Sequence, residues 1–151
     1  MKYLLSNNID AILEVYRVFA NLSRHQSIRS YLVLRKVNVL SIAYLSSNNR
    51  ELLYIVIGVL INLLTDPENR FILKQEKGVK KLIEILNELG QTDWQLSSMI
   101  CKLLMNYSEK TRTNLGYTNF ENDEVKLLKL LLKDLLGKLD DFLFMPKFLI
   151  N

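Results

Sequence analysis

The stretch RELLYIVIGVLINLLT, residues 50–65, decides how the rest of the chain is read. It is apolar on almost every face and has no proline. A helix that is apolar all round is buried on all sides. At the same time it is too short for a membrane span, since Leu52 to Ile61 is broken by Asn62 and falls short of the ~20 residues a bilayer requires. Its neighbours must therefore be other helices of this chain. Two stretches echo its ending: VLINLL at 59–64 is preceded by VFANLS at 18–23 and followed by LLMNYS at 103–108.

A shift of 41 residues extends that echo. It carries Tyr3 onto Tyr44, Asn8 onto Asn49, Val18 onto Val59, Asn21 onto Asn62, Leu22 onto Leu63, Arg29 onto Arg70 and Leu32 onto Leu73. A shift of 44 carries Leu60 onto Leu104 and Asn62 onto Asn106, with the three extra residues in the turn Gly90-Gln91-Thr92. Helical repeats of ~40–47 residues are those of armadillo and HEAT solenoids.

Local signals place the helices. Asn8, Asn49 and Asp93 stand where N-caps belong, ahead of long apolar-periodic runs. The predicted elements are helices over 8–23, 27–35 and 37–45, then from 49 to 65, 67–75, 79–89 and 94–109. Pro67 suits a first helical turn, and Gly78 reads as a turn residue. The order long, short, medium repeats, and three helices per repeat fit armadillo better than HEAT. Asn114, Gly116 and Asn119 predict a loop over 111–120, followed by a last helix over about 123–136. Lys126, Lys129 and Lys133 lie along one face of that helix, and its leucines are expected to cap the stack. The apolar tail FLFMPKFLI, 142–150, is expected to pack back or to meet a partner.

The predicted fold is thus all-α: a right-handed α-solenoid of about two and a half to three armadillo repeats, with a C-terminal capping helix. Residues 1–110 would hold the repeats, the first incomplete, and 111–151 the loop, cap and tail of the same domain. Met1 to Asn8 matches the end of a repeat's third helix, Tyr44 to Asn49, so the chain reads as starting inside a repeat. Its N-terminal face is then expected to be covered by further repeats or another chain.

Composition narrows function by exclusion. The 151 residues carry a net charge of +4, but the lysines and arginines are dispersed, unlike a nucleic-acid footprint. One cysteine excludes an internal disulfide framework and a cysteine-based zinc site. No secretory signal is visible, and the chain reads as soluble and cytoplasmic. There is no phosphate loop, paired acid, Ser/His/Asp set or cofactor motif, so no catalytic, cofactor-binding or metal residue is assigned and the chain reads as no enzyme. His25 lies in a polar loop without a second histidine. Cys101 reads as a buried thiol, and Trp94 as an anchor of the preceding turn.

Helical spacing does offer a binding face. Asp10, Glu14, Arg17 and Asn21 are spaced 4, 3 and 4, opposite Ile12, Leu13, Val15 and Phe19. Carried along the repeats, they become Glu51, Ile55, Gly58 and Asn62, then Gln95, Met99, Lys102 and Asn106. Parallel long helices would join these stripes into a shallow concave grid. The asparagine amides can pair with the backbone of an extended peptide, or satisfy carbonyls of their own repeats. Ile55 and Met99 fit the grid or the ordinary core. A mid-helix glycine such as Gly58 costs ~1 kcal/mol against Ala, which close helix packing or the grid would explain.

The endings at Asn21, Asn62 and Asn106, with GVKKLIEIL at 78–86, resemble the armadillo-repeat family. A more specific likeness, through IGVLINLLTDPENRFILK at 57–74 and GQTDWQLSSMICKLLMNYSEK at 90–110, is to the last repeats of the armadillo repeat-containing protein two family. That resemblance implies a protein-binding scaffold or adaptor without enzymatic activity. It also implies assembly or transport of ciliary and flagellar axoneme components, radial spokes among them, and a place in the cilium or flagellum. Import-type armadillo proteins usually carry tryptophans four residues before the ladder asparagines. Here those positions are Arg17, Gly58 and Lys102, which counts against an importin-like peptide adaptor. The other alternative is a nucleic-acid-binding α-solenoid, against which the mixed charges of the grid count.

Overall fold

In the computed structural model, residues 8–90, 92–108 and 122–144 are described. They form eight α-helices: α1 (Ile9–Leu22), α2 (Gln26–Leu34), α3 (Val37–Tyr44), α4 (Arg50–Leu63), α5 (Phe71–Gln75), α6 (Gly78–Leu89), α7 (Trp94–Ser108) and α8 (Asn122–Phe144). The three long helices begin with one device. Asn8 Oδ1 accepts from the amides of Asp10 (3.1 Å) and Ala11 (3.2 Å). Asn49 Oδ1 accepts from Leu52 N–H (2.9 Å), and Asp93 Oδ1 from Leu96 N–H (3.0 Å). Each cap satisfies amides that the first helical turn leaves without partners.

The long helices end with a second device, and it explains why Arg29 and Arg70 share a repeat position. Arg29 Nε donates to the carbonyl of Ser23 (2.9 Å), just past α1. Arg70 Nε donates to that of Leu64 (3.0 Å), just past α4, and is buried there. Arg29 also pairs with Asp66 (2.7 Å), which ties α2 to the connection that follows α4.

The long helices lie side by side: α4 packs against α1 on one flank and α7 on the other, with α3 behind it. Helix α6 packs on α7 and α5, and α8 packs on α6. The chain is accordingly an all-α solenoid of three-helix repeats. Leu52, Val56, Ile57, Val59, Leu60 and Leu63 of α4 are fully buried, as its apolar surface demands. At ~1.5–3 kcal/mol per buried aliphatic side chain, this one helix supplies a large part of the core's apolar stabilisation.

The remaining core departs from the sequence reading in places. Ile12 and Leu13 are buried, whereas Val15 and Phe19 are only partly so. The residue missed is Tyr16, fully buried and edge-on to Phe19 and Tyr44, with its hydroxyl 3.4 Å from Ser41 Oγ. Burial pushes its phenol well above the ordinary range.

Three boundaries also differ. The helix predicted over 67–75 is a 3₁₀ turn at Pro67–Asn69 followed by α5. Asn69 is held there by its amide donating to the Leu63 carbonyl (3.0 Å). The last helix continues through Gly137 to Phe144, because ~1 kcal/mol for one mid-helix glycine is not enough to end a long leucine-rich run. It meets α6, with Leu128 and Leu131 partly buried against the core. The loop over 111–120 and the tail beyond Phe144 lie outside the described residues, as does the match of 1–7 to the end of a third helix. Finally, Gly78 is not the left-handed turn residue. Lys77 is, with φ 55°, and its repeat counterpart Lys36 has φ 59°. Gly78 instead opens α6 in a tight site, where a Cβ would stand 2.5 Å from Leu73 Cδ1 and 3.1 Å from Ile42 Cγ2.

Candidate protein-binding face

The caps and repeat spacing set α1, α4 and α7 in the same rotational phase, so their polar stripes fall on one side of the layer. Contacts between the helices join them. Arg17 reaches across to Glu51 (2.6 Å) and also pairs with Glu14 on its own helix. Gly58 lies against α7, with Met99 Cε 3.7 Å from where a Cβ would be. Asn62 Nδ2 donates to Ser23 Oγ (3.0 Å), and Asn106 Nδ2 to the Ile61 carbonyl (3.4 Å).

The resulting surface is exposed at Asp10, Glu14, Arg17, Asn21, Glu51, Gln95 and Lys102. It is half-buried at Ile55, Gly58, Asn62, Met99 and Asn106. Its charges are mixed and partly self-neutralised, since Arg17 sits between two glutamates. Exposed pairs of this kind add little to stability, so their main effect is on what may approach.

Two expectations change in detail. A Cβ at Gly58 would make ordinary van der Waals contact only, so close packing does not require the glycine. Its absent side chain leaves a shallow space beside Met99. Asn62 and Asn106 each spend one amide hydrogen on a neighbouring helix. One N–H and the carbonyl oxygen of each remain for a ligand.

At the N-terminal ends of α4 and α7 lies a cluster that spacing did not reveal. The Asp93 side chain is 3 % exposed, yet it carries a charge. Arg50 Nε donates to its Oδ2 (2.6 Å), and the Tyr54 hydroxyl and Leu96 N–H both donate to its Oδ1. Burial pushes this carboxyl up, but Tyr54, Leu96 N–H and Arg50 together outweigh burial and hold it below the usual carboxylate range. The turn is thus anchored by Asp93, while Trp94 stands 56 % exposed. Only the capping role of Asp93 was legible; Arg50 and Tyr54 come from the preceding repeat.

On the side of α4 away from the grid, a cleft of about 450 Å³ opens between residues 45–50 and α6. Leu53 and Ile85 line it, with Lys81, Glu84 and Glu88 among its polar groups. Cys101 is half-buried, and burial raises its thiol pKa. Lys126, Lys129 and Lys133 are exposed, and His25 is exposed in its loop. Among the described residues, no group of three or more His, Cys, Asp or Glu is placed to hold a metal ion. None of their helices is long and apolar enough to cross a membrane.

Comparison with known proteins agrees with the repeat architecture. The chain is 41% identical over 138 residues to Armadillo repeat-containing protein 2 of Homo sapiens, which covers 91% of this chain and 16% of that protein. It is 45% identical over 109 residues to the Bos taurus protein of that name, covering 72% of this chain and 13% of that protein. The Mus musculus protein is 38% identical over 138 residues, with coverage of 91% and 16%. The chain therefore spans about one-sixth of the length of the relatives it matches, in their C-terminal part. No family model matches, and no solved structure matches. With its three-helix repeats and this similarity, the chain belongs to the armadillo-repeat family, as a counterpart of the C-terminal repeats of armadillo repeat-containing protein 2.

Proposed function

We propose that this repeat scaffold binds protein without catalysis, through the face that runs across α1, α4 and α7. The binding would serve a cytoplasmic adaptor that assembles or carries components of the ciliary or flagellar axoneme, radial spokes among them. The observation that carries the reading is the continuity of that face. Helices α4 and α7 present half-buried apolar groups (Ile55, Met99), amides with hydrogen-bonding capacity to spare (Asn62, Asn106) and charged borders (Glu51, Lys102), and α1 adds Arg17 and Asn21, within one surface. An extended peptide needs that combination, because backbone pairing gives affinity and side-chain pockets give specificity. Arg17, Gly58 and Lys102 stand where tryptophan shelves would clamp a basic import signal. The proposed site therefore reads a segment of mixed character.

The test is affinity capture with the full-length protein from ciliated cells, beside a Gly58→Gln variant. Glutamine at that position fills the space next to Met99 and favours the helix, so the fold is retained. Axonemal proteins recovered by the wild type and lost with the variant, at a melting temperature no lower than the wild type's, are the expected result. Recovery of importins or nucleic acid without axonemal proteins refutes the reading, as does equal recovery by both forms.

A further inference from the structure

The face across α1, α4 and α7 carries its charges in a definite order. At the boundary of α1 and α4 stand three carboxylates, Asp10, Glu14 and Glu51, against one guanidinium, Arg17. Arg17 is spent on Glu14 and Glu51, whose side chains still stay 67 % and 55 % exposed, so each can accept from a second cation. Asp10 is exposed and has no ion pair among the described residues. This corner keeps an excess of negative charge.

The far border is the reverse. Helix α7 contains no acidic residue, and its N-cap Asp93 is buried and held by Arg50. Lys102 on α7 is exposed, with no ion pair among the described residues. Between the two borders lies the space left by Gly58, with Met99 Cε 3.7 Å from where a Cβ would stand and Ile55 half-buried three residues earlier on α4. Packed helices lie ~8–10 Å apart, and an extended chain advances ~3.3 Å per residue. The acidic corner sits on the α1–α4 boundary and the Gly58 space on the α4–α7 boundary. They are one helix spacing apart, or about three residues of an extended chain.

Resting on the reading of this face as a protein-binding surface, we propose the chemistry of its ligand. It is an extended segment with a lysine or arginine over the acidic corner. An apolar side chain, about three residues away, fills the Gly58 space against Met99 and Ile55. An aspartate or glutamate beyond it meets Lys102. Burial of the apolar side chain supplies affinity, and the charges at the borders select the order. A run of basic residues does not fit, because it sets a cation against Lys102. Nucleic acid does not fit, because its phosphates meet the acidic corner.

The test pans a phage-displayed library of random peptides against the 151-residue chain and measures the enriched peptides by fluorescence anisotropy. They should carry basic, apolar and acidic residues in that order, read in either chain direction, and lose binding to Gly58→Gln. Lys102→Glu should weaken a peptide about fivefold, the scale of one exposed charge pair. Exchanging the peptide's acidic residue for lysine should restore it. Asp10→Lys, which leaves the Arg17 pairs in place, should weaken it to a similar degree, and exchanging the peptide's basic residue for glutamate should restore it. The crossed exchanges should restore nothing. Peptides that need the Gly58 space but ignore both charge variants, or that the crossed exchanges rescue, overturn this inference and leave the protein-binding face standing. A library that yields no enriched peptide, or peptides that bind Gly58→Gln as well as the wild type, overturns the face and this inference with it.

Discussion

Replacing Asp93 removes three interactions at once, and a graded series separates them. Asp93→Ala deletes the N-cap of α7, worth ~1 kcal/mol. It also deletes hydrogen bonds from Arg50 and Tyr54 to a buried carboxylate, where bonds to charged groups contribute about 1.5–3 kcal/mol. Arg50 is 60 % exposed and regains water when released, so its share belongs at the low end. The expected total is about 2–4 kcal/mol, roughly 4–16 °C in melting temperature for a domain of this size. Asp93→Asn keeps an oxygen for Leu96 N–H but loses the charge, so about 1–2 kcal/mol is expected. The pH dependence identifies the charge. Because the folded carboxyl titrates below its unfolded value of ~3.9, its contribution is complete above that value and is lost as pH falls through the folded pKa. Urea denaturation of wild type and Asp93→Asn should therefore show a constant gap from pH 5 to 8 that closes in more acidic solution. A gap that widens with acid, or an Asp93→Ala cost below about 0.5 kcal/mol, would refute the clamp.

Further outcomes are expected from the glycines, the left-handed lysines and the ladder. Gly58→Ala should stabilise by roughly 0.5–1 kcal/mol in thermal denaturation, since its Cβ meets only Met99 Cε at 3.7 Å. Gly78→Ala should instead cost about 1–3 kcal/mol, because its Cβ would crowd Leu73 and Ile42. Lys36→Gly and Lys77→Gly should each stabilise by about 0.5–1 kcal/mol, relieving a left-handed conformation that costs an L-residue ~1–2 kcal/mol. Asn62→Ala should cost about 1 kcal/mol through loss of its bond to Ser23, and no further loss should follow in a background already carrying Ser23→Ala.

Much of the architecture was legible because it repeats. The echo of Asn21 in Asn62 and Asn106 placed three long helices in phase, and the capping residues Asn8, Asn49 and Asp93 act as their chemistry suggests. The repeat pairing of Arg29 with Arg70 was visible as a pattern but not as a mechanism. A side chain that caps a carbonyl six residues back shows only once the chain has turned. Gly78 misled for a related reason: glycine marks both left-handed turns and crowded contacts, and the sequence does not say which.

Local chemistry thus determined the helices, their order and the side of each that is polar, because periodicity and capping act within a few residues. Only the tertiary structure decided what the polar groups face. Arg17 is bound between Glu14 and Glu51, and Asn62 and Asn106 each give one amide hydrogen to the neighbouring helix. Asp93 is clamped by Arg50 and Tyr54 from 43 and 39 residues away. Those pairings depend on how one repeat sits on the next. That placement is set by the summed packing of whole helix faces, which no single stretch of sequence contains.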